Sequence, residues 1–161
     1  MASEAAGASG GVAPNASRFP VLPSERAQIW QGFPRWERAI FPTLVGLELE
    51  EIREGYARMR LPYRPELDQP IGAMHGGAIA TLIDTVVVPA IGSAYSGHPK
   101  LLTIDMHVQF LAPVVKQDAV AEGWVEKRGR SICFCRVEVR TASGELAATA
   151  SLVYRVRPPE S

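Results

Sequence analysis

Hydrophobic and polar residues alternate with a period of two along most of the chain after Thr43, and this pattern predicts β-strands. In the stretch 131–141 the apolar side chains share one face and the charged side chains share the other. A strand of this kind is typical of an antiparallel sheet with one face against a core. The pattern predicts six strands, over 44–52, 55–61, 101–111, 117–127, 131–141 and 145–155.

One long segment interrupts the alternation. Residues from Gly76 to about Tyr95 are apolar on almost every side, which predicts a buried helix. Pro89 predicts a kink in it, because the proline ring removes a hydrogen bond and clashes with the preceding turn. The element order, with two strands, one buried helix and four further strands, predicts an α+β fold in which an antiparallel sheet wraps around one long central helix.

The first 41 residues divide into two parts by composition. Residues 1–23 are mostly Ala, Gly, Ser and Pro without apolar periodicity, which predicts a disordered tail. In residues 24–41 large apolar side chains recur at roughly helical spacing, so we expect a helical segment with Ser24 as its cap and Pro34 as a break. Residues 42–157 then form the main domain.

Composition and charge argue against nucleic-acid-binding, membrane and metal-binding functions. The chain has 161 residues and formal net charge +0, so it offers no general electrostatic attraction to nucleic acid or to an anionic membrane. No apolar run reaches the roughly 18 residues that a spanning helix needs. Cys133 and Cys135 lie on one face of a predicted strand, and no second Cys/His pair has metal-ligand spacing. We interpret them as buried thiols of a cytoplasmic protein that holds no metal.

The predicted buried helix begins directly after His75, with Gly76 and Gly77 at its start. Free backbone N–H groups and the positive end of the helix dipole meet at such a position, and glycine lets a ligand approach closely. The arrangement suits an oxyanion hole or an anion site. Tight packing is the alternative explanation, since it accounts for many glycine pairs.

Asp84 is a carboxylate in an otherwise apolar helix. Burying it unpaired is costly, so it is either satisfied structurally or retained for chemistry, and the residues alone leave both explanations open. It follows Gly76 by eight helical positions, a distance of about 12 Å. One substrate carbonyl cannot contact both groups within a single chain. If the two cooperate, Asp84 must meet Gly76 of a second copy, which predicts a homodimer with two composite sites.

The helix start and the strand after it resemble a known family. The similarity rests on His75-Gly76-Gly77, on Asp84 nine residues after the histidine, and on the run Leu-Thr-Ile-Asp-Met-His-Val-Gln-Phe-Leu-Ala-Pro over 102–113. These motifs resemble those of the hotdog-fold acyl-CoA thioesterases, most closely the PaaI-like branch, and the likeness covers about residues 42–156. It implies the hotdog fold, hydrolysis of acyl-CoA, and a homodimer that commonly pairs into a homotetramer.

The resemblance also implies residue roles. Gly76 would donate its backbone N–H to the thioester oxygen, and His75 would shape that corner. Asp84 of the partner chain would be the nucleophile or the general base, and Thr103 would help to hold the water. Gln69 stands where the family commonly has Asn, and its extra methylene moves the same donor and acceptor groups. Coenzyme A would enter as part of the substrate, with no metal or redox cofactor.

Lys127, Arg128 and Arg130 cluster at a strand junction next to Ser131. In one interpretation the cluster binds coenzyme A phosphates, with Ser131 and Gly77 as further substrate-binding residues. In the other interpretation it is a solvated turn.

Two other functions remain open for such a fold. A non-catalytic acyl-CoA-binding or sensing protein is one, because fold alone does not fix function. A carboxylate that faces a helix start favours the enzyme over the binder. A hotdog dehydratase or hydratase ranks last, because it needs an Asp/His acid–base pair in the cleft and the histidine nearest the helix start is His75 itself.

Overall fold

The computed structural model of the chain describes residues 13–35 and 39–159, and these contain three α-helices and six β-strands. The helices are α1 (Ser24–Ile29), α2 (Phe41–Val45) and α3 (Gly76–Gly92). The strands are β1 (Glu48–Arg53), β2 (Tyr56–Leu61), β3 (Lys100–Phe110), β4 (Ala119–Arg128), β5 (Ile132–Thr141) and β6 (Leu146–Arg157).

The six strands form one antiparallel sheet in the order β1-β2-β4-β5-β6-β3. Short hairpins connect β4 to β5 and β5 to β6. The crossover through α3 carries the chain from β2 to the far edge, where β3 pairs with β6 alone. This arrangement confirms the predicted α+β architecture of an antiparallel sheet around one long helix.

The inner face of the sheet holds α3, and the core lies between them. Fully buried α3 side chains include Leu82, Ile83, Val86 and Val87. Gly123 on β4 permits the close approach, because a Cβ there would lie 2.8 Å from Val86 Cγ1. The helix continues through Pro89 and ends at Gly92, three residues before the predicted end.

Among the described residues of the helical segment predicted over 24–41, only α1 and Phe41, the first residue of α2, are helical. Gly32 has φ +81°, which a continuing helix cannot accommodate, and Pro34 follows it. Pro23 rather than Ser24 is the N-cap of α1. Because α2 occupies 41–45, β1 begins at Glu48 and not at the predicted residue 44. Residues 36–38 of the predicted segment lie outside the described residues.

Residues 13–23, which we call the strap, lie across the outer face of the sheet. Asn15 donates from its backbone N and from Nδ2 to the carboxylate of Glu122, at 3.0 and 3.1 Å. Phe19 stacks on Tyr56 with ring centroids 5.1 Å apart, and Leu22 is buried. The prediction of a disordered tail is therefore wrong for the strap, because two of its side chains find specific partners. Residues 1–12 lie outside the described residues.

The structure also bears on two expectations from the sequence, the state of the two cysteines and the lack of a membrane-spanning helix. Cys133 and Cys135 are buried free thiols, as predicted. Among the described residues, no helix is long and apolar enough to cross a membrane.

Candidate active site

The first turn of α3 presents a backbone donor. His75 is the N-cap, and its Nδ1 accepts a hydrogen bond from the Gly77 N–H at 2.8 Å. A Cβ on Gly77 would lie only 3.1 Å from that Nδ1, so a glycine at position 77 leaves room for the His75 side chain to form the cap. Within the described part of the chain, none of the hydrogen bonds uses the Gly76 N–H. This group at the positive end of the helix dipole can therefore bind an oxygen that carries negative charge.

A cavity of about 410 Å³ opens beside this donor, and Gln69, Gly76 and Phe110 contribute to its lining. The Phe110 ring lies over the helix start, since a Cβ on Gly76 would be 3.3 Å from its Cζ. Gln69 belongs to a tight turn in which its N–H donates to Ala73 at 2.8 Å. The structure thus brings Gln69 and Gly76, both singled out from the sequence, to the same cavity.

The Asp84 side chain lies in the middle of α3 and is half-buried, less than its apolar sequence context suggested. Thr103 on β3 donates its hydroxyl to Asp84 Oδ1 at 2.9 Å. These two predicted residues therefore meet within one chain. A carboxylate that accepts from a fixed hydroxyl is oriented and remains available to a further donor, such as water, through its second oxygen.

Tyr154 is the third member of this group, and sequence reasoning missed it. Its hydroxyl lies 2.5 Å from Asp84 Oδ1 and 2.7 Å from the Asp84 carbonyl oxygen. Burial and the Asp84 charge raise the pKa of Tyr154 well above its ordinary value, so the hydroxyl keeps its proton and donates. Tyr154 is directly opposite Thr103 in the β3–β6 register. The only signal in the sequence is the inward position of Tyr154 in the alternation of β6, which is equally typical of a core residue.

Strand β3 connects the two ends of the site. Thr103, near its start, contacts Asp84, and Phe110, at its end, covers Gly76. Its outer edge has no partner strand among those described, although the strand is 11 residues long. Leu102, Ile104 and Phe110 on it are 67%, 57% and 55% exposed. A long apolar edge of this kind is normally covered, because it otherwise pairs indiscriminately.

The basic cluster lies at the other end of α3 from Gly76. Arg128 donates to the carbonyl of Ile91 at 3.1 Å, and its guanidinium lies 5.4 Å from the centre of the Tyr95 ring. A cation at a helix C-terminus is stabilising, so Arg128 has a structural role in this chain. Lys127, near the end of β4, is exposed, as are Arg130 and Ser131 in the turn between β4 and β5. The structure does not bring these residues to Gly76 within one chain.

Comparisons with known proteins identify relatives of the chain. The family model described as the thioesterase superfamily matches residues 71–148. A candidate esterase of Halobacterium salinarum is 33% identical over 107 residues, which are 62% of this chain and 68% of that protein. Human acyl-coenzyme A thioesterase 13 is 32% identical over 80 residues, 48% of this chain and 56% of that protein.

Solved structures share the fold. The PaaI protein from the phenylacetic acid degradation operon of E. coli superposes with a TM-score of 0.73 at 16% identity, covering 84% of this chain and 96% of that one. At this identity the likeness supports the fold, and the hotdog architecture inferred from the sequence motifs is confirmed.

Proposed function

The chain belongs to the thioesterase superfamily, and from this premise we propose that it hydrolyses acyl-CoA thioesters to a free acid and coenzyme A. The observation that carries the proposal is the pairing of an oriented carboxylate with an available helix-start donor. Asp84 is held by Thr103 and Tyr154, and the Gly76 N–H stands at the other end of β3. A protein that only bound acyl-CoA would not need the oriented carboxylate.

We propose that the active site is shared between two copies of the chain. Gly76 and Asp84 are about 12 Å apart along α3, so they serve one carbonyl only across a dimer. The exposed apolar edge of β3 is the surface that a second β3 would cover. Antiparallel pairing about an axis between Met106 and His107 would place Thr103 opposite the partner's Phe110. Asp84 would then face the partner's Gly76, and the two-fold axis would generate two equivalent sites.

Within this site the Gly76 N–H binds the thioester oxygen and stabilises the negative charge that develops on it. Loss of one such donor typically costs about 10²–10³ in rate. As a general base, Asp84 removes a proton from water while the water oxygen attacks the carbonyl carbon. The tetrahedral intermediate then collapses, the carbon–sulfur bond breaks, and the coenzyme A thiolate leaves and is protonated. Thr103 holds the water, and Tyr154 fixes the carboxylate.

Direct attack by Asp84 is the alternative route with the same residues. The carboxylate would form a mixed anhydride as the thiolate leaves, and water would then release the acid and restore Asp84. Both routes use the same oxyanion donor and need no metal or redox cofactor. Coenzyme A enters as part of the substrate, and we propose that Lys127 and Arg130 contact its phosphates.

The test is release of free thiol from a panel of acyl-CoAs (short, medium, long and aryl-acetyl). Asp84→Asn keeps an oxygen that can accept from Thr103 and Tyr154 but removes the charge, so we expect turnover to fall at least about a hundredfold. Glu145→Gln is the matched control, because Glu145 is an exposed carboxylate in the β5–β6 hairpin. Undiminished release by a folded Asp84→Asn protein would remove Asp84 from the mechanism. Tight binding without release by the wild type would identify a binding protein instead.

A further inference from the structure

A second cavity, of about 350 Å³, includes Asp84 in its lining. Its other walls are mostly aromatic and aliphatic, and they include Trp30 and Phe33 from the segment after α1, Val88 from α3, and Leu101 from β3. An apolar pocket next to a reactive carboxylate is suited to an apolar group attached to the reacting carbon. A polar substituent would lose its hydrogen bonds to water on entering this pocket, and the apolar walls would not replace them.

Trp30 is a rigid part of this wall. The side chain is only 2% exposed, and its indole lies directly on the C-terminal end of α3. Gly92 makes room for it, because a Cβ there would lie 1.9 Å from Trp30 Cζ2. Phe33 and His98 meet the indole edge-to-face, with ring centroids 5.5 and 5.0 Å away. The ring is therefore fixed on several sides.

A larger cavity of about 800 Å³ lies between residues 24–35, which include α1, and strand β1. Trp30 and Phe33 line this cavity as well as the one beside Asp84. Because the same two rings line both spaces, they form part of the wall between the smaller cavity and the larger one. Removing ring atoms at either position would join the two.

We propose that the cavity beside Asp84 holds the acyl group of the substrate and that Trp30 and Phe33 close its far end. The enzyme would then favour compact apolar acyl groups, and longer chains would bring no further increase in binding. This inference rests on the proposed thioester hydrolysis. Each methylene buried in such a pocket favours binding by about fourfold. A chain too long to fit before the two rings gains nothing from its additional methylenes.

The test compares kcat/KM for hexanoyl-CoA and dodecanoyl-CoA, each kept below its micelle-forming concentration. In Trp30→Leu the preference for dodecanoyl over hexanoyl should rise at least about tenfold, because several methylenes gain burial. Trp30→Phe should give a smaller rise in the same direction. Phe134→Ala is the control, since Phe134 is an exposed residue of β5 that lines neither cavity. Thermal unfolding checks that each variant is folded, and Phe33→Leu provides the same test if Trp30→Leu does not fold.

An unchanged chain-length profile in folded Trp30 and Phe33 variants would overturn the inference while leaving thioester hydrolysis intact. So would a profile that shifts in Leu111→Ala instead, because Leu111 lines the cavity beside Gly76 and the acyl group would then occupy that cavity. Absence of hydrolysis by the wild type for every acyl-CoA would overturn the proposed function first, and this inference with it.

Discussion

Tyr154→Phe tests the geometry around Asp84 with the loss of a single oxygen atom. The Tyr154 hydroxyl lies 2.5 Å from Asp84 Oδ1, on a side chain that is otherwise part of the core. A hydrogen bond to a charged group contributes about 1.5–3 kcal/mol. If the bond holds the carboxylate in position during the reaction, its loss should lower kcat by about ten- to a hundredfold.

The assay measures kcat and KM separately by thiol release and measures thermal unfolding in parallel. Tyr56→Phe is the matched control, because the Tyr56 hydroxyl likewise donates to a carboxylate, that of the buried Glu122, at 2.8 Å beneath the strap. Both variants should lose stability, whereas only Tyr154→Phe should lose turnover. A folded Tyr154→Phe enzyme with kcat within about twofold of wild type would refute the assigned role, since that loss is far below the expected range.

Three further predictions concern the site and the strap. Thr103→Val should lower kcat and Thr103→Ser should largely retain it, because only serine keeps the hydroxyl that reaches Asp84; equal activities would contradict a role for this oxygen. Asn15→Ala should lower the free energy of unfolding by about 1–3 kcal/mol without lowering kcat, since Glu122 loses a donor; denaturant titration with steady-state assays measures both. Burial raises the pKa of Tyr56 and Tyr154 above the ordinary value, so stability should be complete below pH about 10 and fall as pH rises further. Unfolding measured from pH 8 to 11 should show a smaller alkaline loss in Tyr56→Phe, and an equal loss would contradict this cause.

The strands and α3 could be predicted from the sequence because burial imposes a regular spacing on apolar residues. The period of two persists wherever a strand has one face on the core, and α3 is apolar on nearly every side because the sheet wraps around it. The same regularity singles out Asp84, because it is a charged residue in a helix whose other positions are almost all apolar.

The remaining features depend on contacts between distant parts of the chain, which periodicity does not report. Tyr154 occupies an inward position of β6, where a tyrosine is typical of a core, and its partner Asp84 lies 70 residues away. The strap has the composition of a disordered segment, but Asn15 and Phe19 find partners on the outer face of the sheet. The end of α1 at Ile29, short of the predicted residue 41, is followed by the positive φ of Gly32, which local spacing does not indicate.

In the proposed dimer each active site joins Asp84 of one chain to Gly76 of its partner, and mixing two inactive variants tests this sharing most directly. The side chain added in Gly76→Val would lie against the Phe110 ring and obstruct the approach to the Gly76 N–H. Asp84→Asn chains and Gly76→Val chains would be unfolded together, refolded as a mixture and assayed for thiol release, with hybrid dimers confirmed by native mass spectrometry. Each hybrid dimer carries one site with both residues intact and one site with neither.

Statistical mixing in equal amounts makes half of the dimers hybrid, so activity should recover to about one quarter of the wild-type value. Each variant refolded alone should remain inactive. Recovery near one quarter is the result that the shared site predicts. No recovery despite confirmed hybrid dimers would show that both groups act within one chain, and it would contradict the account.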